Sequence, residues 1–361
     1  MAIAASGAVS FGDLRTEFVG GSSAISLGDL SRGGSNILSK AGDNPAVNMA
    51  ATVPTSGVID VQDFYSTAKG FKSTISSNTT NVDADALFGD DYDVNYPKVI
   101  DVNFGITVGG SGDEAIDIPS GLAGTLTINN SGAILGAGGA ANGGAGGGAI
   151  ACAASGVTIN NLNGAMIAGG GGGGGKGGTG GQGSYTSSAG PSYAFFTYLW
   201  YLTQYNTVHV RWAGSYILNG GNYSIFAAGT YSSGGYTYTR GNYAGSVSCG
   251  NDDNCSTYYI SRSGTVYSNG GTGGDGGVGQ GFNQSSAGTG AQGASGGTNA
   301  GQGGQGADGA TYGQAGASGN IGANGNYGNG VGGAGGGAAG AAVSGTSVTM
   351  NNSGTLHGTV A

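Results

Sequence analysis

Charge is scarce in this chain, proline and cysteine are scarcer, and long apolar runs are missing. Only 8% of the 361 residues are charged, and 10 Lys and Arg against 19 Asp and Glu leave a net charge of -9 with no basic cluster. That balance argues against a nucleic-acid partner, which needs a basic patch to neutralise phosphates. No apolar run approaches the roughly 20 residues that span a bilayer, and the opening MAIAASGAVSF lacks the basic start of a signal peptide. The expectation is assembly in a cytoplasm, without a secretory route of the chain's own. All five prolines lie outside the glycine runs, which excludes a collagen triple helix. The three cysteines are an odd count: Cys249 and Cys255 flank GNDDN, while Cys152 stands alone in apolar AIACAA. The first two bracket a turn and can form a disulfide if the protein works outside a reducing cell, and Cys152 is expected to stay reduced and buried.

Glycine is what the chain has, 85 of them. A glycine-rich chain without a period would be disordered, because it has little apolar area to offset its ordering entropy. Here there is a period. In GGGGGGGKGGTGGQG, Gly169 to Gly183, the exceptions Lys176, Thr179 and Gln182 fall three apart, and Gly313 to Gly328 repeats Gly-x-y without a break. About three residues per turn is the geometry of an extended, polyproline II-type helix. Packed side by side, such helices have room only for glycine on their buried edges, and their free N–H and C=O groups can pair laterally. Lys176, Thr179 and Gln182 are then solvent-facing positions on an outer layer. The rival readings are disorder and silk-like β packing.

Around the glycine runs the sequence is organised by repeats. The first 65 residues carry one phrase three times, SGAVSFGDL, SSAISLGDL and SGVIDVQDF. Alternating pairs such as Val9/Phe11, Ile25/Leu27 and Ile59/Val61 suggest a short strand, followed by Asp13, Asp29 or Asp63 capping a helical turn. A second phrase, GTLTINNSGAILGAGG, returns as GVTINNLNGAMIAGG and SVTMNNSGTLHGTV. It reads as strand, Asn-rich turn, strand. The expected fold is mainly β and extended. A small N-terminal repeat module for attachment (1–70) is followed by a β-strand and hairpin section (71–168). A stack of polyglycine II helices (169–183 and 269–346) is interrupted by a Tyr-rich β or loop insert (184–268), and a strand pair (347–361) closes the chain.

The insert holds both tryptophans and 14 of the 19 tyrosines, set among Ser, Thr, Asn and Gly. That is the vocabulary of antibody binding loops, where rigid rings give contact area and short polar residues adapt their hydrogen bonds. Trp212, Tyr216, Tyr223, Tyr236 and Tyr238 are the candidate contact residues. The alternative is a small β-domain whose rings form its own core. The near-continuous AFFTYLWYL favours core more than YTYTR, where Tyr alternates with polar residues.

Other motifs fall short of chemistry. GGGGGGKG, Gly170 to Gly177, ends in Gly where a phosphate-binding loop needs Ser or Thr. His209 and His357 have no zinc-like spacing. Asp83, Asp85, Asp90, Asp91 and Asp93 lack the glycine of a calcium loop, which leaves a solvated, helix-capping role. Adjacent Asp252 and Asp253 seldom face each other across a sugar as a glycosidase pair must. No cofactor, metal or enzymatic activity is expected.

The phrases SFGDLRTEF, ISLGDL, SGVIDVQDFYST, TINNSGAILGAGGAANGG, VTINNLNGAMIAGGGGGGG and GTLHGTV resemble glycine-rich tail-fibre adhesins of tailed phages, especially those of marine hosts. The chain is similar, more loosely, to T-even phage adhesins in which polyglycine II helices stack and variable loops bind the host. The likeness covers Ser6 to about Gly183 and Asn269 to the end. One large insert stands where that family has several short loops. The resemblance implies a virion tail-fibre component that binds a host cell-surface receptor, a polysaccharide or an outer-membrane protein, alongside other tail or fibre proteins. Two other functions compete: a purely structural fibre or decoration protein, and a polysaccharide-cleaving tailspike. The oligomeric state, homo-oligomer included, is left open.

Overall fold

The computed structural model describes residues 3, 8–20, 26–30, 53–54, 58–64, 67, 69–112, 114–199, 206–212, 215–222, 229–248, 254–345 and 347–361, with backbone alone over 27–28, 189–199, 206–212, 215–222, 247–248 and 254–257. Helix α1 (Phe11–Phe18) opens the described chain. Ser10 is its N-cap, and the Asp13 carboxylate reaches back to the Ser10 N–H and hydroxyl, both at 2.7 Å. Ser26 and Asp29 repeat this exchange ahead of a 3-10 turn at Leu27–Leu30, and Asp63 accepts from the Asp60 N–H ahead of another at Val61–Phe64. The threefold phrase is therefore a capping device, and among the described residues it forms no strand. A cap residue and an acid three positions on satisfy the first N–H groups of a helical turn, which outweighs the short apolar alternation. The turns bury Leu14, Phe18, Leu30 and Phe64 together in a small core.

The chain then winds into a three-sided solenoid. Its first coil is β1 (Phe71–Ile75), β2 (Thr79–Thr80) and β3 (Val82–Asp83), followed by helix α2 (Ala84–Phe88). The second is β4 (Lys98–Val102), β5 (Thr107–Gly109) and β6 (Ile116–Ile118); the third is β7 (Leu126–Asn130), β8 (Ala133–Leu135) and β9 (Ile150–Cys152). The fourth begins with β10 (Val157–Asn161) and β11 (Met166–Ala168). Each strand pairs in parallel with its counterpart one coil away, so the coils stack as three sheets.

This corrects the expected hairpin section. Asn130-Ser-Gly turns a corner onto the next face and does not fold back. The inward Asn130 side chain accepts from the Gly132 N–H at 3.0 Å and donates to Asn161 Oδ1 at 2.9 Å in the next coil, whose amide donates to Asn352 Oδ1 at 2.8 Å. A second row, half exposed, runs from Asn351 to Asn160 to Asn129 to Asp101, whose carboxylate meets Lys72 Nζ at 2.6 Å. A turn-forming Asn-Asn pair thus supplies one amide to each of two ladders. Between the sheets, Ile100, Ile128 and Ile159 stack in register, as do Val108, Ile134 and Ile167.

After β11 the chain leaves the solenoid for a lattice of extended segments that are neither helix nor strand. Residues 169–182 run through it, and their N–H groups point in directions that repeat every third residue. Gly171, Gly174, Gly177 and Gly180 donate to Gln280, Gly277, Gly274 and Gly271, an antiparallel neighbour. Gly172, Gly175, Gly178 and Gly181 donate to Gln314, Ala317, Asn320 and Ala323, a parallel one. In the third row Gly170 and Gly173 donate to Gly147 and Gly144. That same row continues as Lys176, Thr179 and Gln182, all exposed. Carbonyls of the segment accept from Gly301, Gly304, Ala307 and Ala310, and from Gly328, Val331, Ala334 and Gly337. These bonds measure 2.7–2.9 Å, and none joins two residues of 169–182.

The chain returns to the solenoid through β18 (Val343–Ser344), β19 (Val348–Asn352) and β20 (Thr355–His357). These last strands do not pair with one another; β18 extends the sheet of β9, β19 that of β10 and β20 that of β11.

Candidate functional site

The lattice is interrupted by a six-stranded antiparallel sheet. It is built from β12 (Gly183–Leu199), β13 (Asn206–Trp212), β14 (Ser215–Asn222), β15 (Thr230–Ser233), β16 (Tyr236–Ser248) and β17 (Asn254–Ser268), in the order β14-β13-β12-β17-β16-β15. It enters and leaves at one point, since Gly183 pairs with Ser268. Two lattice turns hold that root. Asn326 Oδ1 accepts from the Ser184 N–H at 2.7 Å, the Asn326 and Asn299 amides donate to the Ser184 carbonyl, and Ser268 Oγ donates to the Thr298 carbonyl at 2.5 Å. Tyr327 of one turn packs against Tyr267 with ring centroids 4.6 Å apart.

Strand periodicity divides the described side chains between two faces. On one face Arg262 lies over the Tyr236 ring at 4.3 Å and Arg240 over the Tyr258 ring at 5.2 Å, and Tyr236 tilts against Tyr238 at 6.4 Å. Tyr238 and Ile260 are buried there, with 4% and 0% exposure. The other face is hydroxyl. Thr186 and Ser188 of β12 stand opposite Thr265 and Ser263 of β17. Thr237 and Thr239 of β16 stand between Ser263 and Ser261 on one side and Ser232 and Thr230 of β15 on the other. Tyr259 and Tyr267 lie on this same face of β17, 45% and 51% exposed.

The candidate contact residues therefore have different fates. Tyr238 is interior, and Tyr236 is half-buried beneath Arg262. Trp212 ends β13 and Tyr216 lies in β14, paired with Arg211. Tyr223 and Cys249 lie outside the described residues; the backbone of Cys255 pairs with Val247. Among the described side chains of the sheet, the exposed rings are Tyr185, Tyr243, Tyr259 and Tyr267, none of them among the sequence candidates. The signal was present in YTYTR. In strict alternation one phase of residues is buried, and the buried phase is the aromatic one.

Elsewhere, Cys152 is a free, buried thiol that donates to the Ala154 carbonyl at 3.3 Å, and burial pushes its pKa up. His357 stacks on Tyr312 at 6.3 Å. Asp83 caps α2, accepting from the Asp85 N–H at 2.8 Å. Asp83, Asp85, Asp90 and Asp93 line an open depression of about 640 Å³, whereas Asp91 is buried. Among the described residues no His, Cys, Asp or Glu cluster can hold a metal.

A family model described as phage tail fibre adhesin Gp38 matches residues 70–267, more than half of the chain. The chain belongs to the Gp38 tail fibre adhesin family. Its match begins where the solenoid begins and runs to the end of the inserted sheet. Among solved structures, the chain is similar to one in the crystal structure of the gp37–gp38 adhesin tip complex of the bacteriophage S16 long tail fibre, with 18% identity, 85% of this chain and 88% of that chain covered, and a TM-score of 0.36. No curated protein matches. Membership makes the chain a phage virion component with an adhesin role.

Proposed function

We propose that this Gp38-family adhesin is non-enzymatic and binds a host cell-surface receptor through its inserted sheet, with the glycine segments as the rigid support. The observation that carries this reading is the rooting of the sheet. Residues 169–182 leave the solenoid at Gly169, whose N–H donates to the His357 carbonyl of β20, and end at Gly183, where the sheet starts. The sheet therefore stands at the end of that segment away from the solenoid. The lattice supports a polyglycine II assignment, because its bonds run only between segments and recur every third residue. The small capped core before residue 70 suits attachment to other tail or fibre proteins, since it packs apart from the solenoid core.

The test is adsorption. Gly183 and Ser268 are paired, so a short Gly-Ser bridge can replace residues 184–267 without moving the lattice. Virions carrying the bridged chain are expected to assemble and to lose attachment to host cells. Unchanged attachment, with the bridged chain folded and incorporated, would leave the structural-fibre reading in its place.

A further inference from the structure

We infer that the hydroxyl face of the inserted sheet docks a neutral, extended polysaccharide, laid along β17 between Tyr259 and Tyr267. This deepens the proposed function and rests on the reading that the sheet meets the host.

Nine of the described Ser and Thr side chains share the face across four adjacent strands, and no charged side chain stands among them. At a strand spacing of about 4.8 Å the array is roughly 14 Å wide, and the eight residue steps from Tyr259 to Tyr267 span about 27 Å. That is the footprint of a linear chain. A hydroxyl both donates and accepts, as does the hydroxyl of a sugar, so the two surfaces can pair in many registers without burying a charge. Tyr259 at one end, and at the other Tyr267 with Tyr327 packed against it, offer half-exposed ring faces for the C–H side of a sugar ring. The opposite face shows what the sheet uses for its own packing, since the Arg and Tyr side chains are stacked on one another there.

Other occupants fit less well. A protein partner is usually anchored by large apolar or Arg side chains in well-packed pockets, and among the described side chains those groups are turned to the other face or confined to the ends. An acidic polymer would find no cation among the described side chains of the face and would approach a chain of net charge -9. A neutral glycan meets neither obstacle.

The experiment measures binding of the labelled, purified full chain to cells of the bacterium the phage infects. Cells are left untreated, oxidised with periodate to open the sugar diols, or digested with proteinase K. Periodate is expected to abolish binding and the protease to leave it. The variant carrying Thr237→Val and Thr265→Val keeps β-branched shapes on the strands while removing two hydroxyls, and is expected to bind at least about tenfold more weakly. Ser263→Asp, which places a charge in the array, is a second variant expected to weaken binding. Binding that survives periodate but not protease overturns the inference, as does undiminished binding by both variants. Self-association that is lost in the double variant also overturns it, because the face would then be an interface between copies. The bridged chain lacking the sheet separates the two readings. If it fails to bind while the face variants bind normally, only the glycan face falls. If it still binds, the receptor-binding role of the sheet falls.

Discussion

Gly174→Ala puts one methyl group where the lattice has no room for it. A Cβ on Gly174 would collide with the Ala307 carbonyl oxygen. That oxygen accepts from the Gly277 N–H at 2.8 Å, and the Ala307 N–H itself donates to the Gly175 carbonyl at 2.9 Å. Gly174 in turn donates to the Gly277 carbonyl at 2.8 Å. To admit the methyl, segment 301–310 must move away from 169–182, and these bonds stretch together. Each contributes about 0.5–1.5 kcal/mol net, and a buried group left unpaired costs about 1–3 kcal/mol. Two or three such losses give a destabilisation of about 3–5 kcal/mol, a midpoint shift on the order of 10 °C in scanning calorimetry. Thr179→Ala is the control. Its side chain is solvent-exposed on the same segment, so its effect should stay within about 0.5 kcal/mol. Equal stability of the two variants would refute the reasoning, because glycine would then be present for some reason other than the closeness of neighbouring backbones.

The ladders of the solenoid make a second comparison. Asn161→Ala removes an acceptor for Asn130 and two donors, to Asn352 Oδ1 and the Thr355 carbonyl. It is expected to cost about 2–4 kcal/mol by calorimetry, against about 1 kcal/mol for Asn160→Ala in the half-exposed row; equal costs would contradict the ladder argument. Tyr92 gives a pH dependence. Its hydroxyl donates to the Pro119 carbonyl at 2.6 Å, and burial, with Asp85 and other negative charges nearby, raises its pKa well above 10.0. The folded chain then keeps a proton that the unfolded chain loses, so this contribution is intact below pH 10 and is lost as pH rises towards the folded value. Tyr92→Phe should lose about 1 kcal/mol at neutral pH and show a shallower fall in stability above pH 10; parallel curves for the two proteins would rule this out.

The glycine period was the most legible feature of the sequence. Lys176, Thr179 and Gln182 continue the row of Gly170 and Gly173, and side chains enter that row past the point where it is bonded to Gly144 and Gly147. The repeated TINN phrase was legible as strands but not as coils. Asn-Ser-Gly looks the same in a hairpin and at a solenoid corner, and only the partner amide, 31 residues away between Asn130 and Asn161, separates them. The capping role of Asp13 and Asp29 was read in part, since Ser10 and Ser26, three residues earlier, complete the exchange. The inserted sheet was recognised by its rings, which is why its outward phase was missed. Alternation shows that a strand has two faces, but choosing between them needs to know what covers each one. Arg240 and Arg262, which cover the tyrosines, come from neighbouring strands.

The shared root of the sheet has a mechanical consequence. A pull on the sheet enters the lattice through Gly183 and Ser268 together, and so draws 169–182 and 270–281 in the same direction. The four hydrogen bonds from Gly171, Gly174, Gly177 and Gly180 across that pair are then not peeled apart. Tension passes sideways into the flanking segments, where rows of bonds lie across the pull and share it in shear. A chain built to hold on under drag would fail last along its own glycine seam.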